Sequence, residues 1–218
     1  EYERSLECHL SVTKEIDIDA TDYTMGIDNL NIGMALKRLD RNEEAVQYLL
    51  KARPYFKAEK NPEFVNWCDR HLAEAYVALK NGMEAAFHAK HYYNFSKVAE
   101  NIEMEGYARY RLGQAHWLLK QYAEAESHFV RALELLTLEG ERDWELIVKA
   151  NNELAACLFA QGKDEQATEI LDRIVTLEET LCAAYEKNNR RKCFASPFRT
   201  CSDCSLLTGF QYAANPCH

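Results

Sequence analysis

The sequence predicts an all-α, right-handed superhelical solenoid of antiparallel helix pairs, and three observations carry that expectation. The first is a spacing. A small residue recurs at Gly33, Ala73, Gly113 and Ala155, and twelve residues after each stands an alanine: Ala45, Ala85, Ala125 and Ala167. Successive copies lie 40, 40 and 42 residues apart, and self-similarity at such a period marks stacked repeats. The second is the apolar pattern within each copy. Leu112, Trp117 and Leu119, then Ala125, Phe129, Ala132 and Leu133, recur at helical intervals and give one buried face per helix. The third is composition: 8 glycines and 4 prolines in 218 residues, with 28% charged, suit a helical protein better than a barrel or a disordered chain.

Each period divides into two helices and a short polar turn. The first unit predicts helices over Gly26–Leu39 and Glu43–Ala58, joined by Asp40-Arg41-Asn42. Asn42 is the expected N-cap, with Glu43 and Glu44 favourably placed in the first turn. The second predicts Pro62–Leu79 and Met83–Ala99, with Pro62 at N1 and Asn81-Gly82 as the break. The third predicts Ile102–Leu119 and Ala123–Leu138. The fourth predicts Arg142–Ala160 and Asp164–Lys187, split by Gln161-Gly162-Lys163. Residues 1–16 read as the second helix of an earlier repeat, in whose register Tyr2 and Ser5 fall, so the chain is expected to be a fragment. Residues 17–187 hold the four pairs, and residues 188–218 form an irregular, cysteine-containing tail.

The small residues explain the pairing. Glycine inside a helix costs about 1 kcal/mol relative to alanine. Gly33 and Gly113, in one register, are expected where the two helices of a pair meet at close range. Ala45 and Ala125 are the matching small positions, with Leu49 and Phe129 filling the gap one turn on.

These residues resemble tetratricopeptide repeats. Leu112-Gly113-x-x-His116 with Ala125-x3-Phe129-x2-Ala132, and Ile32-Gly33-x-x-Leu36 with Ala45-x3-Leu49-x2-Ala52, carry the likeness. Leu72-Ala73-x-x-Tyr76 with Ala85, and Leu154-Ala155-x-x-Leu158 with Ala167-x3-Leu171, are weaker copies. The family's usual period is about 34 residues, so these units have longer helices, and the proline that often closes a unit is missing. Long-period copies resemble those of kinesin light chains, spindle-orientation adaptors and tonsoku-like repair scaffolds.

The resemblance implies a scaffold or adaptor that binds a protein partner in a concave groove lined by the first helix of each pair. Its offsets place Leu30, Asn31, Met34, Lys37 and Arg38 there, then Trp67, Arg70, His71 and Glu74. Tyr107, Tyr110, Arg111, Gln114 and Trp117 follow, then Lys149, Asn152, Glu153 and Phe159. Arginine and aromatic residues dominate binding hot spots. Arg70 and Arg111 are therefore expected as electrostatic anchors, Tyr110 and Trp117 as apolar ones, and Asn31 and Asn152 as holders of the partner backbone. The partner would be an extended or helical segment with acidic and apolar residues. Trp67, Tyr107 and Trp117 could instead be packing residues between units. The lysine-and-asparagine set of the chaperone-binding members is absent in this register. A second expectation is an assembly segment that self-associates through its terminal helices.

Other chemistry finds little support. No nucleophile elbow, phosphate loop or HExxH occurs, so neither a catalytic residue nor a cofactor is expected. His88 and His91, with Glu84, could share a metal, but no further ligand is indicated, and a solvated or packed helix face is the simpler reading. Cys201-x2-Cys204, with Cys193, Cys217 and His218, has irregular spacing for zinc and reads more simply as a disordered or foreign end. No run of about 18 uncharged apolar residues predicts a membrane span. The net charge is −9, about −12 before Asn188 and about +3 after it, which argues against a DNA-wrapping role. Cys8, Cys68, Cys157 and Cys182 read as small hydrophobes in a reducing compartment, hence a cytoplasmic protein with a nuclear alternative.

Overall fold

A computed structural model describes residues 3, 4, 6, 7, 22–138 and 143–176. The chain divides into two compact units, Glu1–Ile174 and Val175–His218. Of the second, only Val175 and Thr176 are described, so the tail cysteines Cys193, Cys201, Cys204 and Cys217 lie outside the described residues, as do Tyr2, Ser5, Cys8 and Cys182.

The first unit is a succession of helices: α1 (Asp22–Arg38), α2 (Asn42–Ala58), α3 (Pro62–Ala78), α4 (Gly82–Val98), α5 (Ile102–Leu118), α6 (Tyr122–Leu136) and α7 (Trp144–Ala160), with residues 164–174 helical again. No strand occurs among the described residues. Consecutive helices pack against one another along the chain. The odd helices also touch the next odd one (α1 on α3, α3 on α5, α5 on α7), whereas α2, α4 and α6 do not touch each other. The odd helices are thus the tightly spaced inner layer, and the even ones fan apart outside.

The last expected helix (Asp164–Lys187) lies outside the described residues after Thr176, as do most of residues 1–16. The expected helices between residues 26 and 160 form, and several of their ends differ for a local reason. Every turn from α1 to α6 is made by a residue with positive φ, at Asp40, Lys60, Lys80, Glu100 and Lys120. The next amide then reaches back to close the helix end, as in Arg41 N–H to Leu36 O (2.9 Å) and Asn81 N–H to Tyr76 O (2.9 Å). Because Asp40 supplies the left-handed residue, the following helix starts one residue earlier than expected. Asn42 is therefore not the N-cap. Arg41 holds that place without a side-chain capping bond, and Asn42 is buried with its amide donating to Asp40 Oδ1 (2.7 Å). Asn61, Asn81, Asn101 and Asp143 do cap, accepting from the amides of Phe64, Glu84, Met104 and Leu146. Pro62 sits at the start of α3, as expected. Asp143 begins α7 at Trp144 rather than Arg142, α6 stops at Leu136, and α1 starts at Asp22, four residues before Gly26.

The core forms where helices meet through small residues. A Cβ on Gly33 would lie 2.7 Å from Leu49 Cγ and 3.3 Å from Ala45 O, and one on Gly113 would lie 2.6 Å from Phe129 Cε1. The close approach is as expected: Gly33 meets both the Ala45 backbone and the Leu49 side chain, whereas the three nearest atoms at Gly113 all belong to the Phe129 ring. Leu30, Leu49, Phe56, Cys68 and Leu72 continue this core from α1 into α3. Burial pushes the thiols of Cys68 and Cys157 up to about 12, so both are inert packing groups.

Candidate functional site

The inner layer gathers one charge cluster from three helices. Glu74, on α3, is almost buried. Its carboxylate receives Lys37 Nζ from α1 and Arg111 Nη2 from α5 (2.9 Å), and Arg70 Nε stands 3.6 Å away. His71 Nδ1 lies 3.0 Å from Lys37 Nζ. Arg70 keeps 41% of its side chain exposed, against 20% for Lys37 and 21% for Arg111. Three cations thus share one carboxylate, and the buried Nε of Arg70 has no hydrogen-bond partner.

The surplus of positive charge shows in the titrating groups. Burial, then Arg111, Arg70 and Arg38, lower Lys37 to about 7; the single Glu74 carboxylate, shared three ways, does not offset them. Burial, then Lys37, Arg70, Arg111 and Arg38, push His71 down to about 3, so it is neutral and accepts from Lys37.

A second cluster adjoins the first. Arg111 Nη1 donates to Gln114 Oε1 (2.8 Å), and Gln114 Nε2 donates to Glu153 Oε1 on α7 (2.8 Å) and to the Tyr110 hydroxyl (3.0 Å). Tyr110 in turn donates to Glu153 Oε1 (3.0 Å). Glu153 Oε2 is buried without a partner, and burial raises the carboxyl above its usual range.

The expected groove residues therefore fall into different roles. Lys37, Arg70, Arg111 and Gln114 converge on the two carboxylates. Tyr107 lies under the Arg70 guanidinium (5.3 Å to the ring centre) and donates to Asp143 Oδ2 (2.9 Å). Trp67 is 48% exposed beside Phe64. Arg38 is exposed, and Asn31 and Asn152 are half-buried. Tyr110 is only 2% exposed and packs near Phe129 (5.9 Å), so its ring belongs to the core rather than to a surface anchor. Leu30 is likewise core. Trp117 is half-buried against Tyr122 (5.0 Å), a packing contact between α5 and α6. Lys149 pairs along its own helix with Glu145 (2.5 Å).

The family offsets place Glu74 and Glu153 in the groove, where Glu74 gathers the arginines and Glu153 accepts from Gln114 and Tyr110. The available signal was two carboxylates inside an otherwise basic register. His88 is not poised for metal: its Nδ1 meets the buried Asp69 Oδ1 at 2.6 Å, and its ring stacks on Tyr76. No group of three metal-ligating side chains occurs among the described residues, and no helix among them is long and apolar enough to cross a membrane.

Two sequence models of the tetratricopeptide repeat match the chain, one over residues 29–52 and one over residues 105–179. The first falls on the unit that carries Gly33, and the second spans the units that carry Gly113 and Ala155. No curated protein matches in sequence. Solved structures share the fold at low identity. The apo form of RapI superimposes with a TM-score of 0.74 at 13% identity, covering 95% of this chain and 75% of its own. BtubC from P. vanneervenii gives 0.71 at 14% (83% and 74%), and kinesin light chain TPR-like repeats of P. anserina give 0.63 at 17% (83% and 86%). A Rap protein complexed with competence and sporulation factor gives 0.66 at 16%, over 80% of this chain and 48% of that one.

Proposed function

The chain belongs to the tetratricopeptide-repeat family and is a repeat scaffold for protein interaction; from that premise we propose that it binds a partner segment along the face formed by α1, α3, α5 and α7. The segment presents carboxylates to Arg70 and its neighbours and apolar side chains to Trp67. The observation that carries this reading is the unequal cluster at Glu74, where Lys37, Arg70 and Arg111 face one carboxylate in a chain of net charge −9. A buried surplus of one sign is costly unless a guest neutralises it, and arginine's planar fork suits carboxylates. The Rap protein complexed with competence and sporulation factor lends the reading weight, because it shares this architecture.

The test is affinity purification of the full chain against Arg70→Glu and Trp67→Ala, with partners quantified by mass spectrometry and assembly size by light scattering. Loss of partners at unchanged size supports the groove. Unchanged partners with either variant overturn it.

A further inference from the structure

We propose that the outer cleft between α2 and α4, floored by α3, is a second docking site, and that it takes a segment of another polypeptide presenting apolar side chains flanked by carboxylates. The cleft lies on the other side of α3 from the groove. His71 and Glu74 reach Lys37 of α1 and Arg111 of α5, whereas Asp69 reaches Arg53 of α2 (2.9 Å) and His88 of α4 (2.6 Å). It encloses about 680 Å³, within the range of about 300–1,000 Å³ for ligand sites. Its walls include Phe56, Val65, Phe95 and Val98, the last 84% exposed.

The repeat itself shows why the cleft is open. In the first unit Gly26 admits Phe56 (3.0 Å to a built Cβ), and in the third Gly106 admits Leu136 (2.9 Å). Forty residues on from Gly26 and Phe56 stand Asn66 and Ser96, a polar pair that leaves the bulky apolar filling out. Asn66, 3% exposed, lines the cleft; its Nδ2 donates to Met104 Sδ (3.5 Å), and its Oδ1 is buried without a partner.

Charge distinguishes the same position. In the third unit Glu105 accepts from Lys97 (3.2 Å) and Arg109 (3.0 Å). The residue in Glu105's register is Val65, and the one in Lys97's register is Lys57. Lys57 and Lys60, both exposed, therefore stand at the rim with no carboxylate partner among the described residues. Arg53 is already committed to Asp69 through both arms of its fork (2.9 and 3.1 Å). An apolar cleft with two unpaired lysines at its edge, on an acidic protein, is complementary to an acidic-apolar segment.

The experiment titrates the ¹⁵N-labelled full chain carrying Arg70→Glu, which removes the exposed cation of the groove, with acetyl-Glu-Leu-Trp-Glu-Glu-amide, read by amide shifts and calorimetry. Saturable shifts confined to residues 53–69 and 91–98 are expected. Lys57→Glu combined with Lys60→Glu should weaken binding at least tenfold, and so should replacing the peptide's glutamates by lysines. Val65→Glu, which recreates the carboxylate of the third unit, should do the same; the rim double variant keeps the test decisive if Val65→Glu fails to fold. Absence of saturation at millimolar peptide, shifts on residues 67–74 and 107–114 without the cleft, or indifference to the rim variant would overturn the proposal. So would self-association of the chain, seen in sedimentation, that the rim variant abolishes, because the occupant would then be a second copy. Each outcome is independent of whether Arg70 holds a guest in the groove.

Discussion

Glu74→Gln should move stability and affinity in opposite directions. In the native chain its carboxylate is 12% exposed and receives Lys37, Arg111 and, at 3.6 Å, Arg70. Removing one member of a fully buried pair costs about 3–5 kcal/mol. Lys37 and Arg111 retain 20% and 21% exposure, so solvent screens part of that loss, and about 2 kcal/mol is expected. For a chain of this size that lowers the melting temperature by about 4–8 °C. The same change removes the one negative charge nearest Arg70, lifting a repulsion of about 1 kcal/mol on an acidic guest. Affinity should therefore rise about fivefold. The assay is urea unfolding followed by tryptophan fluorescence, paired with anisotropy of a fluorescein-labelled Glu-Glu-Leu-Phe-Glu-Glu peptide. Both are run in the Lys57→Glu, Lys60→Glu background so that only the groove contributes. Equal loss of stability and affinity would refute the reasoning, because Glu74 would then be shaping the groove rather than competing with the guest for its cations.

Three further outcomes follow from the same geometry. Gly113→Ala should destabilise by about 2 kcal/mol in urea unfolding, because a Cβ 2.6 Å from the Phe129 ring outweighs the gain in helix propensity; Gly33→Ala should cost less, since the flexible Leu49 side chain can move away. Lys80→Gly should stabilise by about 0.5 kcal/mol in thermal melts, because Lys80 holds φ +57 and glycine relieves the left-handed strain while adding some unfolded-state entropy. Groove affinity for the acidic peptide should fall as pH rises through about 7, where Lys37 loses its proton, and Lys37→Arg should flatten that profile in anisotropy titrations. The linked stability term has the opposite slope. Between about 7 and the ordinary lysine value the unfolded chain binds more protons at this site, so the Lys37 contribution to stability grows with pH across that window. The difference between wild type and Lys37→Met in urea midpoints isolates it.

What the sequence disclosed and what it hid divide along a physical line. The period from Gly33 to Ala155, the helical apolar spacing and the close fit at Gly113 are local or strictly repeated, so one register carries them all. The helix ends escaped because aspartate, lysine and glutamate hold the left-handed turn positions, where glycine is the usual signal. Among the described residues, only the turn at Gly162 carries glycine in the positive-φ position. The site was half legible. Family offsets brought Lys37, Arg70 and Arg111 to one face, but whether a cation is available depends on what faces it from neighbouring helices. Arg111 is held by Glu74 across 37 residues of sequence, and Gln114 by Glu153 across 39. Tyr110 shows the same limit for an aromatic: its offset is that of a groove residue, yet the ring turns toward Phe129 and only the hydroxyl reaches Glu153. The balance of charge in the groove is thus a property of three adjacent helices together. A single change at Glu74 tests it more sharply than the loss of any one arginine, because it alters every cation's share at once while leaving each in place.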